Sequence, residues 1–328
     1  MGLTFRSIGG FVGTGFAVVG AALCAGCVSS PPNNYRLPAE RFVEAQIEFP
    51  NAAPQIERGR PIALVDGLNH YVLSLPAKLV LWNWRVQDHR MEPDGEALLQ
   101  RYLELNRMTA VKVRHNAYAP LDEFRRLRQN TEVGAGYRYT FGILGLLYYT
   151  IVPDRLFGGL IGVPYIGGGD HFNPFSNTIH VFSSDPAILL HEAGHAKDYL
   201  NRRLKGTTFI LPRIVIPGWV FAQEARASAD AVRFLDCVRE PERELAAYGT
   251  LFPAYGTYIG GFVAGLLGIV PGAIGGHIAG EVRERKRTSG QQTPEEQVRL
   301  AQLPEFCVAF AVAPEVPPAE PPPAPPAE

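Results

Sequence analysis

The sequence predicts an α+β fold in which a mixed sheet packs on a helix and further helices lie behind it. Three observations predict it. Residues Asn177–Phe182 alternate and carry β-branched side chains, so they read as a strand, and Thr109–Arg114 alternates in the same way. The first of these runs leads into Ser183-Ser184-Asp185-Pro186, where Asp185 is a natural helix cap and Pro186 a natural first helical residue. Longer helical stretches flank both strands. The chain has 328 residues, is 46% hydrophobic and has a formal net charge of −1. Such a chain can bury one sizeable core with appendages. A charge so near zero argues against a nucleic-acid partner.

In chain order, residues 1–27 read as a secretory signal peptide, with an early charge at Arg6 and an apolar, Gly/Ala-rich run to Gly26. A plain membrane anchor is the alternative, since the run is nearly long enough to span. Leu23-Cys24-Ala25-Gly26-Cys27 resembles the bacterial lipobox. That resemblance implies acylation of Cys27 and, with no aspartate following, an outer-membrane lipoprotein facing the periplasm. Residues 28–60 read as a tether. Residues 61–250 are the expected main domain, with a helix from Asp94 to Leu105, the strand at 109–114 and a charged helix from Pro120 to Gln129. Trp82 and Trp84 read as packing residues. Residues 136–169 are apolar and Gly-rich but interrupted by Pro153-Asp154-Arg155. They read as a long, partly buried loop, a lid or a membrane-touching surface. The helix opened by Pro186 should reach about Asn201. Another should start at Pro217 or Gly218 and end near Arg239, before Pro241. Residues 289–328 form a Pro-rich tail expected to be disordered.

The chemistry lies in His191-Glu192-Ala193-Gly194-His195, an H-E-x-x-H pattern. On a helix, positions i and i+4 stack, so both imidazoles can reach one metal ion. Glu192 projects about 100° round from His191, where it can act as general base on water beside the metal. A third protein ligand is required. Asp198 is a poor candidate, being roughly 10 Å further along the helix than His191; pairing with Arg202 suits it better. Glu224 is the favoured ligand. It sits on the next helix, whose small face of Ala225, Ala227, Ser228, Ala229 and Ala231 allows close approach. Asp230 is the alternative, with the shorter reach.

A strand, a short turn and a capped helix carrying H-E-x-x-H, followed by a helix with a glutamate, resembles the gluzincin branch of the zincin metallopeptidases. The resemblance covers about a fifth of the chain. It implies a sheet whose edge strand lies along the motif helix, Zn²⁺ as cofactor, His191, His195 and Glu224 as ligands, Glu192 as catalytic base and a protein or peptide substrate. One departure is Ser228, where gluzincins often have an aspartate four residues after the ligand glutamate. Gly194 is expected to leave space for substrate. His171, His180, Tyr248 and Tyr255 are candidates for stabilising the oxyanion of a tetrahedral intermediate.

Glycines at 256, 260, 268, 272, 276 and 280 resemble the glycine-zipper segments of bacterial envelope proteins. Residues 251–288 are therefore expected to form an apolar helical hairpin split at Pro271-Gly272, or a membrane span with Arg283–Arg287 on the cytoplasmic side. Membrane contact through 256–280 and self-association are the implied partnerships. A Cys237–Cys307 disulfide is compatible only with the hairpin. The expected function is a membrane-anchored zinc metallopeptidase. The alternative is a non-catalytic envelope lipoprotein that works through its glycine repeat, with structural zinc.

Overall fold

The computed structural model describes residues 49, 53–90, 92–158, 169–202 and 204–290. The signal peptide, the lipidation site Cys27, Cys307 and the tail beyond 290 lie outside the described residues. What is described is a mixed α/β fold with one four-stranded sheet.

The sheet contains β1 (Ile56–Arg58), β2 (Lys112–His115), β3 (His171–Asn173) and β4 (Thr178–Val181), in the order β1-β2-β4-β3. β1 and β4 run parallel to β2, whereas β3 is an antiparallel edge strand paired to β4 with His171 opposite His180. β1 takes the end of the segment expected to be a tether: Ile56 pairs with Val113 and brings the chain into the sheet at that point. Every residue of the two central strands is buried. Val113, Ile179 and Val181 meet Leu99 and Leu103 from α3 (Pro93–Leu105) in the core. α1 (Ala63–Leu68), α2 (Leu75–Leu81) and α4 (Pro120–Gln129) complete the first half.

Residues 136–158 are not the expected loop. They form helix at Ala135–Tyr137, a wide turn at Arg138–Gly142, then α5 (Ile143–Ile151) and α6 (Asp154–Phe157). The apolar run satisfies its backbone as helix up to Pro153, which precedes α6. Residues 159–168 lie outside the described residues.

The motif helix α7 (Pro186–Leu200) starts as predicted, with Asp185 Oδ1 accepting from the Ala187 amide at 2.8 Å. The other carboxylate oxygen of Asp185 accepts from Asn83 and Thr250, tying the helix start to two other elements. α8 (Leu211–Val215) leads to α9 (Trp219–Cys237), which packs along α7. The helices come very close because Gly194 has no side chain. A Cβ there would lie 2.9 Å from the Ala227 carbonyl oxygen and 3.0 Å from the Ala227 Cα. Gly194 therefore faces α9 and not a substrate.

α10 (Pro241–Ala264) and α11 (Leu266–Gly290) form a helical hairpin that turns at Gly265, whose φ is 59°. The turn is not at Pro271-Gly272; Pro271 lies within the second helix. The glycine rows face each other inside the hairpin: a methyl at Gly256 or Gly260 would overlap the backbone carbonyl of Gly272 or Gly268. The expected boundary at residue 251 falls within α10, so the glycine-rich segment continues a helix of the main body. At the base of the hairpin Arg287 pairs with Glu244 and Asp236, and His277 stacks on Trp82 at 3.9 Å. Cys237, at the end of α9, is disulfide-bonded. Among the described residues, no helix is long and apolar enough to cross a membrane.

Candidate metal centre

α7 and α9 bring three donor atoms to one point. His191 Nε2 lies 3.1 Å from His195 Nε2 and 3.1 Å from Glu224 Oε2, and His195 Nε2 lies 3.3 Å from the same oxygen. Among the described residues these three form the group able to hold a metal ion. The triangle fits a tetrahedral ion, for bonds of about 2.0 Å place neighbouring ligand atoms about 3.3 Å apart. The donor chemistry fits as well: two imidazole nitrogens and a carboxylate oxygen.

Each ligand is oriented from outside the triangle. The Ser228 hydroxyl lies 3.1 Å from His191 Nδ1, so that nitrogen can carry the proton and leave Nε2 with a free lone pair. Glu224 and Ser228 are one turn apart on α9, which places a carboxylate and a hydroxyl at opposite nitrogens of one ring. Ser228 thus occupies the place of the aspartate that the gluzincin resemblance leads one to expect. Arg213 Nη1 donates to the other carboxylate oxygen, Glu224 Oε1, at 3.3 Å and to Gln223 Oε1 at 3.2 Å. Glu224 is 2% exposed. Burial raises its pKa, but the imidazoles of His195 and His191 outweigh burial and hold the carboxyl well below the usual range. It is therefore a carboxylate at neutral pH, as a ligand must be.

Glu192 is also buried. Burial pushes its carboxyl above the ordinary value, with His191 and His195 opposing. His171 is near enough for Glu192 to act on it. Burial lowers the imidazole's pKa, but Asp154, the Gly169 carbonyl and Glu192 together hold it above the usual histidine value.

The other predicted residues sit elsewhere. Asp230 is not a ligand: it takes Lys197 Nζ at 2.8 Å and the Tyr102 hydroxyl, and so pins α7 to α9 and α3. Asp198 pairs with Arg202, as the sequence suggested, and also with Arg226 on α9. His180 is fully buried beneath His171, their rings stacked 4.7 Å apart, and so cannot reach a substrate. Tyr248 is buried and donates to Glu244 at 2.8 Å, near the base of the hairpin. The Tyr255 ring packs against Phe221.

Two residues at the site were missed in the sequence. Arg213 had no signal, being a lone cation in an apolar stretch. Tyr258 belongs to the glycine-rich segment, and spacing alone does not bring it back to α9. The Glu224 carboxylate, then burial and Glu192, push its phenol above the ordinary value, while Arg213 opposes. The ring is 44% exposed and sits on α10, which packs against α9. A cavity of about 580 Å³ lies elsewhere, at the start of α7, lined by Asn83, Arg85, Glu92, Asp185, Arg243 and His277. It does not include the triad. No protein family, curated protein or solved structure matches the chain.

Proposed function

We propose that this protein is a zinc-dependent metallopeptidase of the zincin type, anchored at a bacterial envelope membrane through Cys27 and acting on protein or peptide substrates. The observation that carries the reading is the convergence of His191 Nε2, His195 Nε2 and Glu224 Oε2 within 3.1–3.3 Å of one another, with Glu192 next to the first ligand. An antiparallel edge strand, β3, beside the motif helix adds support, because an extended peptide can pair with such an edge.

His191, His195 and Glu224 would hold the ion. When bound, zinc supplies Lewis acidity, lowering the pKa of water and polarising a carbonyl. Glu192 accepts the proton from the attacking water and passes it to the leaving amine. Its buried position raises its proton affinity, which suits that double role. Tyr258, with its proton held firmly, and His171 can each donate a hydrogen bond to the developing oxyanion. Arg213 holds the Glu224 carboxylate in place and balances its charge.

The test is metal content together with hydrolysis of an unstructured protein. Wild type should carry about one zinc per chain. Glu192→Gln should keep that zinc and lose hydrolysis by about 10²–10⁴-fold. Undiminished cleavage by Glu192→Gln, or a metal-free wild type, rules the reading out.

A further inference from the structure

We infer that the tip of the α10–α11 hairpin docks into a lipid bilayer surface, which makes polypeptides held at that surface the substrates of the adjacent metal centre. The substrate half rests on the peptidase reading; the docking half does not.

The hairpin shows two kinds of surface. Its inner face is occupied by glycine backbones in mutual contact, so the glycine rows are not available to a second chain. Its outer face at the turn is aliphatic and open. Phe262, Val263, Leu266, Leu267 and Val270 are 51–87% exposed, and a Cβ added at Gly265 would meet nothing within 4 Å. Residues 245–280 contain no Asp, Glu, Lys or Arg. An exposed apolar turn of this size without a charged rim is unlike an ordinary protein-binding patch, which is rimmed by polar groups. It matches a segment whose other solvent is hydrocarbon.

The chain itself favours the bilayer as occupant. The lipobox-like sequence ends at Cys27 and the first strand begins at Ile56. The intervening 56 − 27 = 29 residues reach at most about 100 Å when extended. An acyl anchor would therefore keep the domain close to a membrane.

The tip also adjoins the metal centre. Phe221, one turn before Glu224, packs against Phe262 at 5.2 Å and Tyr255 at 6.4 Å. On the other side of Arg213, Ile214, Val215 and Ile216 add a second exposed apolar strip, each 46–58% exposed. A bilayer touching the tip would thus lie beside the triad.

The full-length acylated protein is reconstituted with phosphatidylethanolamine–phosphatidylglycerol vesicles that carry brominated acyl chains. Leu267→Trp is compared with Glu284→Trp, which is exposed on the same helix about 25 Å further along. Emission from the tryptophan at 267 should shift to the blue and be quenched, while that at 284 is not. Equal quenching of the two overturns the docking. So does concentration-dependent self-association that Leu267→Glu abolishes without any quenching in Leu267→Trp; the tip then belongs to a second copy. In the activity arm, Leu266→Glu with Leu267→Glu should lose the preference for a vesicle-tethered peptide over the same peptide free in solution, with cleavage of the free peptide unchanged. A tip that is quenched in a protein cleaving neither peptide removes the peptidase reading and leaves the docking standing. A tip that is not quenched in a protein cleaving both equally does the reverse.

Discussion

Among the described residues, two groupings of two histidines and a glutamate differ in kind. His191 and His195 with Glu224 face His171 and His180 with Glu123. In both, the imidazole centroids lie 4.7 Å apart. On the helix the ring planes are 89° apart and the Nε2 atoms converge; across the strand pair they are 10° apart and stacked. With the His171 and His180 rings stacked almost parallel, their nitrogens do not converge as those of His191 and His195 do. The glutamates differ as well. Glu224 Oε2 lies within 3.3 Å of both imidazole nitrogens, whereas Glu123 Oε2 is 3.5 Å from one, His180 Nε2, and its other oxygen accepts at 2.9 Å from Arg114 Nε, whose guanidinium also pairs with Glu57 and Asp122. Composition does not make a metal site; the direction of the lone pairs does.

The sharpest break in this comparison is removal of either glutamate. Glu224→Ala should abolish bound zinc in the purified protein, measured by elemental analysis. Glu123→Gln should keep the metal in whatever fraction folds but destabilise the fold by about 3–5 kcal/mol in urea, because Arg114 loses a buried partner. pH sharpens the point. Burial raises the Glu123 pKa, but His180, Arg114 and Ser176 outweigh it, so the folded value lies below the ordinary 4.5. Glu123 therefore contributes its full stability above pH 4.5 and loses it as pH falls towards the folded value. The stability gap between wild type and Glu123→Gln should shrink below pH 4.5; a gap constant with pH would remove the ion-pair account.

Ser228→Ala should weaken zinc binding by about 10–100-fold, as loss of an orienting partner does, and Ser228→Asp should restore it. Competition with a chromogenic chelator reads both. The smallest effect belongs to His180→Phe. Burial outweighs Glu123, 3.5 Å from Nε2, and keeps this ring's pKa below the usual value, so the ring is neutral at pH 7 and neither nitrogen makes a well-formed hydrogen bond. Zinc content should be unchanged and stability altered by no more than about 1 kcal/mol. A large loss of metal there would mean that the two groupings are one.

Much of the site was legible because its signals are local. Asp185-Pro186 marks the start of α7, the i, i+4 histidines follow, and the small face of α9 announces a close helix pair. Glu224 over Asp230 followed from reach, and the Lys197 and Tyr102 contacts of Asp230 give the physical reason. What failed was long-range. Tyr258 comes back towards α9 only because the chain reverses between α9 and α10, at Arg239, whose φ is 62°, and a turn that depends on one positive φ leaves no periodic trace. Residues 136–169 read as loop because their glycines and Pro153 mask the helix α5, which packing against α4 supports. Gly194 was assigned to substrate, although the same missing side chain serves helix contact.

That contact has a consequence for ion choice. Where the backbones of α7 and α9 nearly touch, at Gly194 and Ala227, the spacing of the helices is fixed by hard atoms and not by adjustable side chains. The pair works like a calliper set at one opening, and the ligand triangle inherits the setting. Gly194→Ala would force the jaws apart, moving Glu224 away from both imidazoles although no ligand residue is substituted. Such a protein should discriminate less well against ions larger than zinc, such as cadmium. On this view a methyl group that is absent, one residue before the second histidine, sets the radius the centre accepts.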